Sequence, residues 1–247
     1  MSETDRADRL LVRLGHFESR AAAQAAIAGG HVRVNGKRLS KPSARLNTTD
    51  RIEARLAHPW VSRGGLKLAH ALDVFGVDPA GRYCLDIGAS TGGFSDVLIS
   101  RGARHVYAVD VGRGQLHQKV AADARVTSLE ATDARKLTPE VISKAPSLIV
   151  CDASFIALEK ILPVPLDLAS PGGELVTLFK PQFQVGRGHV GKGGLVTDRA
   201  AAREAEEAFC RWLSFQGWQV NGCDDSPITG GDGNAERLIH ATGPGPG

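Results

Sequence analysis

From residue 62 onward, short apolar segments alternate with amphipathic stretches. The apolar segments predict strands over residues 83–87, 105–109, 148–151, 174–179, 218–222 and 237–241. Strands separated by helical stretches are typical of a doubly wound α/β domain with a mainly parallel sheet. In such sheets, ligands bind at the carboxyl ends of the strands, so those ends are where chemistry is expected.

The first 57 residues have a different and shorter pattern. Asp8 is expected to cap a helix that carries Leu10, Leu11 and Leu14 on one face, and Gly15 stands where that helix would end. Short amphipathic elements of this kind indicate a small unit that is separate from the larger domain.

A second helix and a hairpin follow in this N-terminal unit. The predicted elements are a helix over 20–28, a strand over 31–34 and a strand over 51–56. Ser19 provides the helix cap and Gly29 the stop. Asn35 and Gly36 form a strong two-residue hairpin signal. The whole is a small α+β fold.

The net charge of +3 is unevenly distributed. Residues 1–57 hold 11 Lys/Arg and 6 Asp/Glu, a net of +5, which leaves a net of −2 for the rest. A basic N-terminal piece is expected if that piece contacts phosphates.

Apolar runs and cysteines bound the class of protein. No run reaches the roughly 18 apolar residues of a membrane span, and the start lacks the apolar centre of a signal peptide, so a cytoplasmic protein is predicted. The four cysteines have neither zinc-site spacing nor the density of a disulfide scaffold. Reduced thiols and no metal site are expected.

The run SRAAAQAAIAGGHVRVNGKRLSKPSARL resembles the alpha-L (S-four-type) RNA-binding fold of a ribosomal protein, pseudouridine synthases and tyrosyl-tRNA synthetases. The resemblance implies that the second helix and the hairpin grip structured RNA, reading backbone shape more than sequence. The residues assigned to RNA binding are Arg20, Arg33, Lys37, Arg38 and Lys41, with Arg63 added from the start of the larger domain. A merely solvated basic face is the alternative.

Pro59 restricts the backbone of His58 and interrupts regular structure. Residues 58–61 are therefore predicted as a linker between an RNA-binding domain over 1–57 and a second domain over 62–241, with a flexible tail over 242–247.

A glycine-rich loop follows the first strand of the second domain and precedes a helix predicted over 95–101. Glycines let a ligand approach backbone amides at a helix N-terminus. Ser90 stands where G-x-G-x-x-G has its second glycine, which disfavours a dinucleotide. The pattern D-x-G-x-x-x-G-G resembles motif I of Rossmann-like class I S-adenosylmethionine-dependent methyltransferases. The resemblance assigns to the cofactor Asp86, Gly88, Ala89, Ser90, Thr91, Gly92, Gly93 and Phe94.

Two further acidic residues lie where such enzymes contact the nucleoside part of S-adenosyl-L-methionine. Asp110 ends the second strand and can accept hydrogen bonds from both ribose hydroxyls, with Val111 beside it. Asp133 follows the third segment, where similar enzymes hold the adenine amino group. A helix cap is the alternative for each carboxylate.

Four charged residues lie at element ends and are expected to face one crevice. Asp152 and Lys180 each follow an apolar strand, Lys67 begins the helix before the first strand, and Glu236 begins the last one. Such side chains are almost never fully buried without partners. Together they resemble the Lys-Asp-Lys-Glu tetrad of ribose 2′-O-methyltransferases of the FtsJ type.

The chemistry assigned to this tetrad is proton removal from a ribose 2′-hydroxyl as the hydroxyl attacks a sulfonium methyl. A lysine accepts that proton only as a neutral amine; desolvation and a second ammonium favour the neutral form, whereas adjacent carboxylates oppose it. We assign Lys180 as the base or hydroxyl-orienting group, Asp152 as its positioner, and Lys67 and Glu236 to tuning charge and geometry. A structural ion-pair network is the alternative.

The motifs VSRGGLKL, CLDIGASTGGFSDVLISRGA, VDVGRGQL, DASFI, LFKPQFQVG and GGDGNAERL, read in order, resemble the TlyA family over nearly the whole chain. The resemblance implies methylation of a cytidine ribose in ribosomal RNA within a subunit or assembly intermediate. One branch also modifies small-subunit RNA and carries an extra C-terminal helix. The ending GPGPG favours the large-subunit branch. A monomer or a weak dimer is expected.

Three other functions stay open. A non-catalytic RNA-binding ribosome-assembly factor would have no evident use for the paired lysines and carboxylates. A pore-forming haemolysin, suggested by the customary family name, would need a membrane-length segment or a basic amphipathic helix with aromatic anchors. A small-molecule methyltransferase would leave the basic N-terminal unit without a purpose.

Overall fold

The computed structural model describes residues 4–17, 19–55 and 58–246. The chain folds as two compact units, Met1–Pro59 and Trp60–Gly247. The boundary falls inside the segment predicted as a linker, with His58 and Pro59 in the first unit and Trp60 and Val61 in the second.

The first unit is a small α+β fold. Its elements are β1 (Thr4–Arg6), α1 (Ala7–Arg13), α2 (Arg20–Ala28), β2 (Val32–Val34), β3 (Lys37–Arg38), β4 (Arg45–Asn47) and β5 (Ile52–Ala54). β1 pairs with β4, and β2 pairs with both β3 and β5, all antiparallel. Leu10, Leu11, Ile27 and Val32 are fully buried in its core.

Local signals placed most of this unit correctly. The hydroxyl of Ser19 accepts a hydrogen bond of 3.2 Å from the amide of Ala22, which confirms the predicted cap of α2. Asn35 and Gly36 both have left-handed φ values, 51° and 78°, as a tight hairpin turn requires. The strand predicted over 51–56 is observed as β5, and residue 56 lies outside the described part of the chain.

The predicted role of Asp8 is wrong. α1 begins at Ala7, so Asp8 lies inside its first turn rather than capping it. The carboxylate is buried and accepts hydrogen bonds from Arg6, Arg20 and Gln24. Leu14 is 42% exposed, because α1 ends one residue before it.

The second unit is built on a seven-stranded sheet. Its strands are β6 (Tyr83–Ile87), β7 (His105–Val109), β8 (Val126–Leu129), β9 (Leu148–Cys151), β10 (Glu174–Phe179), β11 (Gln219–Asp225) and β12 (Arg237–Thr242). The order is β11-β12-β10-β9-β6-β7-β8, with β12 antiparallel to both its neighbours and the remaining pairs parallel. Four predicted strands have the observed bounds, and the last two are longer than predicted.

Helices cover both faces of this sheet. They are α3 (Gly64–Phe75), α4 (Gly93–Ser100), α5 (Gln118–Ala121), α6 (Leu158–Ile161), α7 (Pro163–Asp167), α8 (Pro181–Gln184) and α9 (Arg199–Phe215). Successive strand residues alternate between two cores, one with α3 and α4 and the other with α6, α7 and α9. Within the described residues, no helix is long and apolar enough to cross a bilayer.

The parallel strands bring the chemistry to one edge. β6, β7, β9 and β10 run in the same direction, so the residues that follow their carboxyl ends meet at one side of the sheet. The glycine loop, Asp110, Asp152 and Lys180 occupy those four positions.

Candidate active site

Left-handed residues shape the loop between β6 and α4. Gly88 has φ 76°, and a Cβ there would lie 3.0 Å from the backbone nitrogen of Ala153, so a side chain at this position would be strained and crowded. Gly92, with φ 92°, directly precedes α4, and the exposed Ser90 is also left-handed with φ 47°. These conformations bring bare backbone to the carboxyl edge of the sheet.

Asp86 and Phe94 lie behind this loop and not on its surface. The carboxyl of Asp86 is fully buried; Oδ2 accepts a 2.7 Å hydrogen bond from Ser95 Oγ, and Oδ1 has no hydrogen-bond partner. Burial raises the pKa of Asp86 to about 7, against the opposing hydrogen bond from Ser95. Phe94 is 3% exposed and packs in the core beside α3. Both residues can support the loop from below.

Asp110 ties the loop to the end of β7. Its Oδ2 accepts a hydrogen bond from the amide of Ser90 at 2.8 Å, and its Oδ1 accepts one from the amide of Gly112 at 2.7 Å. Val111 is 74% exposed, an unusual position for a large apolar side chain. The carboxylate and this apolar surface therefore lie side by side at the strand end.

Asp133 caps a short 3₁₀ turn, Ala134–Lys136. Its carboxylate accepts a hydrogen bond from the backbone amide of Arg135 and forms an ion pair of 2.6 Å with the guanidinium of the same residue. The hydrogen bond from Arg135 lowers the pKa of Asp133 to about 2. The helix-cap alternative is thus realised, and any ligand at Asp133 would share the carboxylate with Arg135.

The structure brings the four tetrad residues together as two ion pairs. Lys180 Nζ lies 2.6 Å from Asp152 Oδ1, and Lys67 Nζ lies 2.5 Å from Glu236 Oε2. Lys67, Lys180 and Glu236 are buried. Burial raises the pKa of Glu236, Lys67 and Lys180 lower it, and Asp152 raises it further, so the two pairs act on each other.

Lys180 has two more partners that were not predicted. Nζ donates to the backbone carbonyl of Asp152 at 3.1 Å and to Ser154 Oγ at 2.8 Å. Asp152 Oδ1, although close, lies outside hydrogen-bonding geometry and has no donor. In the sequence, Ser154 could be noticed only as a hydroxyl residue two positions after Asp152, which follows β9.

Phe155 was also missed. It has a left-handed φ of 66°, rare for a bulky residue, and is 91% exposed. Its ring centroid lies 5.1 Å from that of Phe183. Exposed residues with a strained backbone are commonly found at functional sites. Phe155 directly follows Ser154, which contacts Lys180.

The residues assigned to RNA binding are all exposed, but they belong to different units and differ in their pairing. Arg33, Lys37, Arg38 and Lys41 lie in the first unit and Arg63 at the start of α3 in the second. Arg20, also in the first unit, is exposed but already forms an ion pair, because its guanidinium lies 2.8 Å from the buried carboxylate of Asp8. The first unit therefore offers a basic hairpin whose side chains extend into solvent.

No cluster of three or more His, Cys, Asp or Glu side chains able to hold a metal ion occurs among the described residues. The four cysteines form no disulfide in the described structure.

Comparison with known proteins identifies the family. Residues 60–242 match the model of the FtsJ-like methyltransferases, and residues 5–52 match that of the S4 domain. The chain belongs to the FtsJ-like methyltransferase family. The predicted fold and enzyme class are confirmed.

Relatives with names and structures agree with this assignment. The chain is 44% identical over 241 residues to the 16S/23S rRNA (cytidine-2′-O)-methyltransferase TlyA of Mycobacterium tuberculosis, covering 97% of this chain and 90% of the relative. It is 37% identical over 186 residues to the 23S rRNA (cytidine-2′-O)-methyltransferase TlyA of Campylobacter jejuni, covering 75% and 72%. A solved structure named as a hemolysin from Streptococcus thermophilus has a TM-score of 0.77 at 39% identity, covering 98% and 89%.

Proposed function

We propose that this protein transfers a methyl group from S-adenosyl-L-methionine to the 2′-hydroxyl of a cytidine ribose in large-subunit ribosomal RNA. The observation that carries the proposal is the pair of buried lysine–carboxylate contacts at the carboxyl edge of the sheet, beside the glycine loop. A protein that only bound RNA would have no evident use for two lysine–carboxylate pairs at this edge, since burying charges is costly even when they are paired.

The residues at the loop fit S-adenosyl-L-methionine. The left-handed residues Gly88, Ser90 and Gly92 turn the loop at the carboxyl edge of the sheet, where its backbone would contact the methionine part. Asp110 would hold the ribose hydroxyls with its remaining lone pairs, and the exposed Val111 would contact the adenine ring. Asp133 would accept from the adenine amino group, sharing its carboxylate with Arg135. When bound, the cofactor supplies an electrophilic methyl group on a sulfonium.

The remaining loop residues shape this pocket. Ala89, Ser90, Thr91, Gly92 and Gly93 form its backbone floor. Asp86 and Phe94, buried beneath them, hold the loop in position.

The tetrad handles the proton of the attacking hydroxyl. Lys180 is the final acceptor of the ribose proton, and Asp152 fixes its Nζ by an ion pair and a backbone carbonyl. Lys67 and Glu236 form the second ion pair, at 2.5 Å, and set the charge and shape of the site beside Lys180 and Asp152. Removal of the proton beside Lys180 would make the ribose 2′-oxygen nucleophilic close to the methyl group of the bound cofactor.

An RNA substrate agrees with the surface as well as with the relatives. The exposed ring of Phe155 offers a stacking platform for an unpaired base beside Lys180. The first unit presents its basic hairpin to phosphates, and Arg63 does so in the second. Both named TlyA relatives act on 23S RNA, and one also on 16S RNA, so the large subunit is the shared substrate.

The test is to incubate the protein with radiolabelled S-adenosylmethionine and unmodified large or small ribosomal subunits, and to map the label by nuclease digestion. We expect label on a ribose of the large subunit, lost in Lys180→Ala. Lys160→Ala, an exposed lysine on α6, is the matched control and should label like wild type. Tight RNA binding with no label on either subunit would contradict the proposal and favour an assembly factor.

A further inference from the structure

Three oxygens surround the ammonium of Lys180. Asp152 Oδ1 lies at 2.6 Å, Ser154 Oγ at 2.8 Å and the backbone oxygen of Asp152 at 3.1 Å. Its N–H groups donate to the Ser154 hydroxyl and to the backbone oxygen of Asp152, whereas Asp152 Oδ1 is an ion-pair contact outside hydrogen-bonding geometry. A base must instead present a lone pair, and the question is which of the three positions that lone pair faces.

Ser154 is the partner that suits the neutral amine. A carbonyl and a carboxylate only accept hydrogen bonds, so neither oxygen of Asp152 can donate to the lone pair of a neutral lysine. A serine hydroxyl both accepts and donates. It can therefore accept from the ammonium and, after a proton has left, donate its own hydrogen to the lone pair of Lys180. Of the three contacts of Lys180, only the one with Ser154 can persist after donor and acceptor exchange roles.

Exposure points the same way. Lys180 is 7% exposed, whereas Ser154, whose hydroxyl lies 2.8 Å from the amine, is exposed to solvent. We propose that Ser154 is a catalytic proton relay, which passes the proton of the substrate hydroxyl to Lys180. This inference rests on the proposed function, because it concerns the ribose 2′-hydroxyl as the proton donor.

The relay step balances as follows. The 2′-hydroxyl gives its proton to Ser154 Oγ while the hydroxyl proton of Ser154 moves to Lys180 Nζ. The freed electron pair of the 2′-oxygen forms the bond to the methyl carbon, and the carbon–sulfur bond breaks with its pair left on sulfur. The products are the 2′-methyl ether, S-adenosylhomocysteine, an unchanged Ser154 hydroxyl and a Lys180 ammonium.

Single-turnover methylation of unmodified large subunits at saturating cofactor tests the relay. Ser154→Ala should slow the methyl-transfer step by about 100-fold, the usual scale of a lost acid–base group, with RNA and cofactor affinities unchanged. Ser154→Thr keeps a hydroxyl and should recover most of the rate. Ser154→Ala combined with Lys180→Met should be no slower than Lys180→Met alone, because residues acting in one relay are not additive.

The matched control is Ser214→Ala, which removes an exposed hydroxyl bonded to the carbonyl of Cys210 in α9 and should leave the rate as in wild type. A second readout is independent of turnover. In the ligand-free protein labelled with [¹⁵N]lysine, the NMR signal of Lys180 Nζ, identified by its loss in Lys180→Met, should move in Ser154→Ala and stay in place in Ser214→Ala.

Isotopic water separates a relay from mere positioning. If two protons move together, a plot of rate against the deuterium fraction of the solvent lies below the straight line that joins the values in H₂O and D₂O. Direct transfer of one proton to Lys180 gives that straight line. A straight line, a wild-type rate in Ser154→Ala, or additive losses in the double variant would overturn the relay while leaving the proposed function intact. A wild-type protein that labels no ribose would overturn both.

Discussion

Glu236 Oε2 lies 2.5 Å from Lys67 Nζ, and both side chains are buried. The two residues are 169 positions apart in the sequence, so the contact forms only when α3 and the loop before β12 are both in place. Two opposite charges in a buried site stabilise each other, and removal of one leaves the other unpaired.

Glu236→Gln should therefore lower the free energy of unfolding by about 3 kcal/mol, because it leaves the Lys67 ammonium buried without its carboxylate. Urea unfolding measures the change. Lys67→Met combined with Glu236→Gln should recover much of that stability without recovering methylation. Glu207→Gln, which removes the exposed pair with Arg211, is the control and should change stability by less than about 0.5 kcal/mol. Equal losses at both sites would contradict the buried-pair argument.

Asp86 makes stability depend on pH in the neutral range. Burial raises its pKa to about 7, so the folded protein holds the carboxyl protonated where the unfolded chain has already ionised it. Below about pH 4 both states are protonated and nothing is lost. As the pH rises from about 4 to 7 the folded state loses stability, and above about 7 the loss is complete, on the order of 4 kcal/mol.

Asp86→Asn removes that loss, so the variant should gain on wild type between pH 5 and pH 8 in urea unfolding. The control is Asp123→Asn, since a hydrogen bond from Arg125 holds the pKa of Asp123 at about 2, far below this window. The stability difference of that control should be the same at both pH values. A constant difference for Asp86→Asn would show that its carboxyl is already ionised in the folded protein at pH 5.

Arg20 and Lys37 should separate folding from RNA binding in the first unit. Lys37→Ala removes an exposed charge and should weaken RNA binding, reducing the slope of log affinity against log salt by about 1, with the thermal midpoint unchanged. Arg20→Ala also removes a hydrogen-bond partner of the buried Asp8, so its thermal midpoint should fall too. Titration over a salt series and calorimetry measure both effects. An unchanged midpoint in Arg20→Ala would make Arg20 a purely RNA-facing residue.

Burial explains which elements the sequence could predict. β6, β7, β9 and β10 are central strands whose residues are mostly apolar and buried, and their predicted bounds are the observed ones. β8 lies at the sheet edge, and Val126 and Leu129 are only partly buried, so its short pattern carries no comparable signal. Asp8 reads locally as a helix cap, but it lies in the first turn of α1, where its buried carboxylate accepts hydrogen bonds from Arg20 and Gln24 of the next helix.

The candidate site divides in the same way. Lys180 and Asp152 could be found because a charge at the end of an apolar strand has no packing explanation. Ser154 could not, because its contact with Lys180 depends on how the loop after β9 turns, and Phe155 takes a left-handed conformation that no local pattern of this sequence demands.

Phe155 carries the last prediction. A bulky residue with φ 66° is strained, and the ring is 91% exposed with Phe183 as its ring contact, so packing alone gives little reason to keep it. Phe155→Gly should relieve the strain and raise the thermal midpoint, yet lower RNA methylation, because a stacked base contributes about 1–3 kcal/mol. Phe155→Trp should retain most of the activity. Phe215→Gly, at an equally open phenylalanine at the end of α9, should leave methylation unchanged. If Phe155→Gly methylates like wild type in single turnover, the ring does not hold the substrate base, and the strain at this position has another cause.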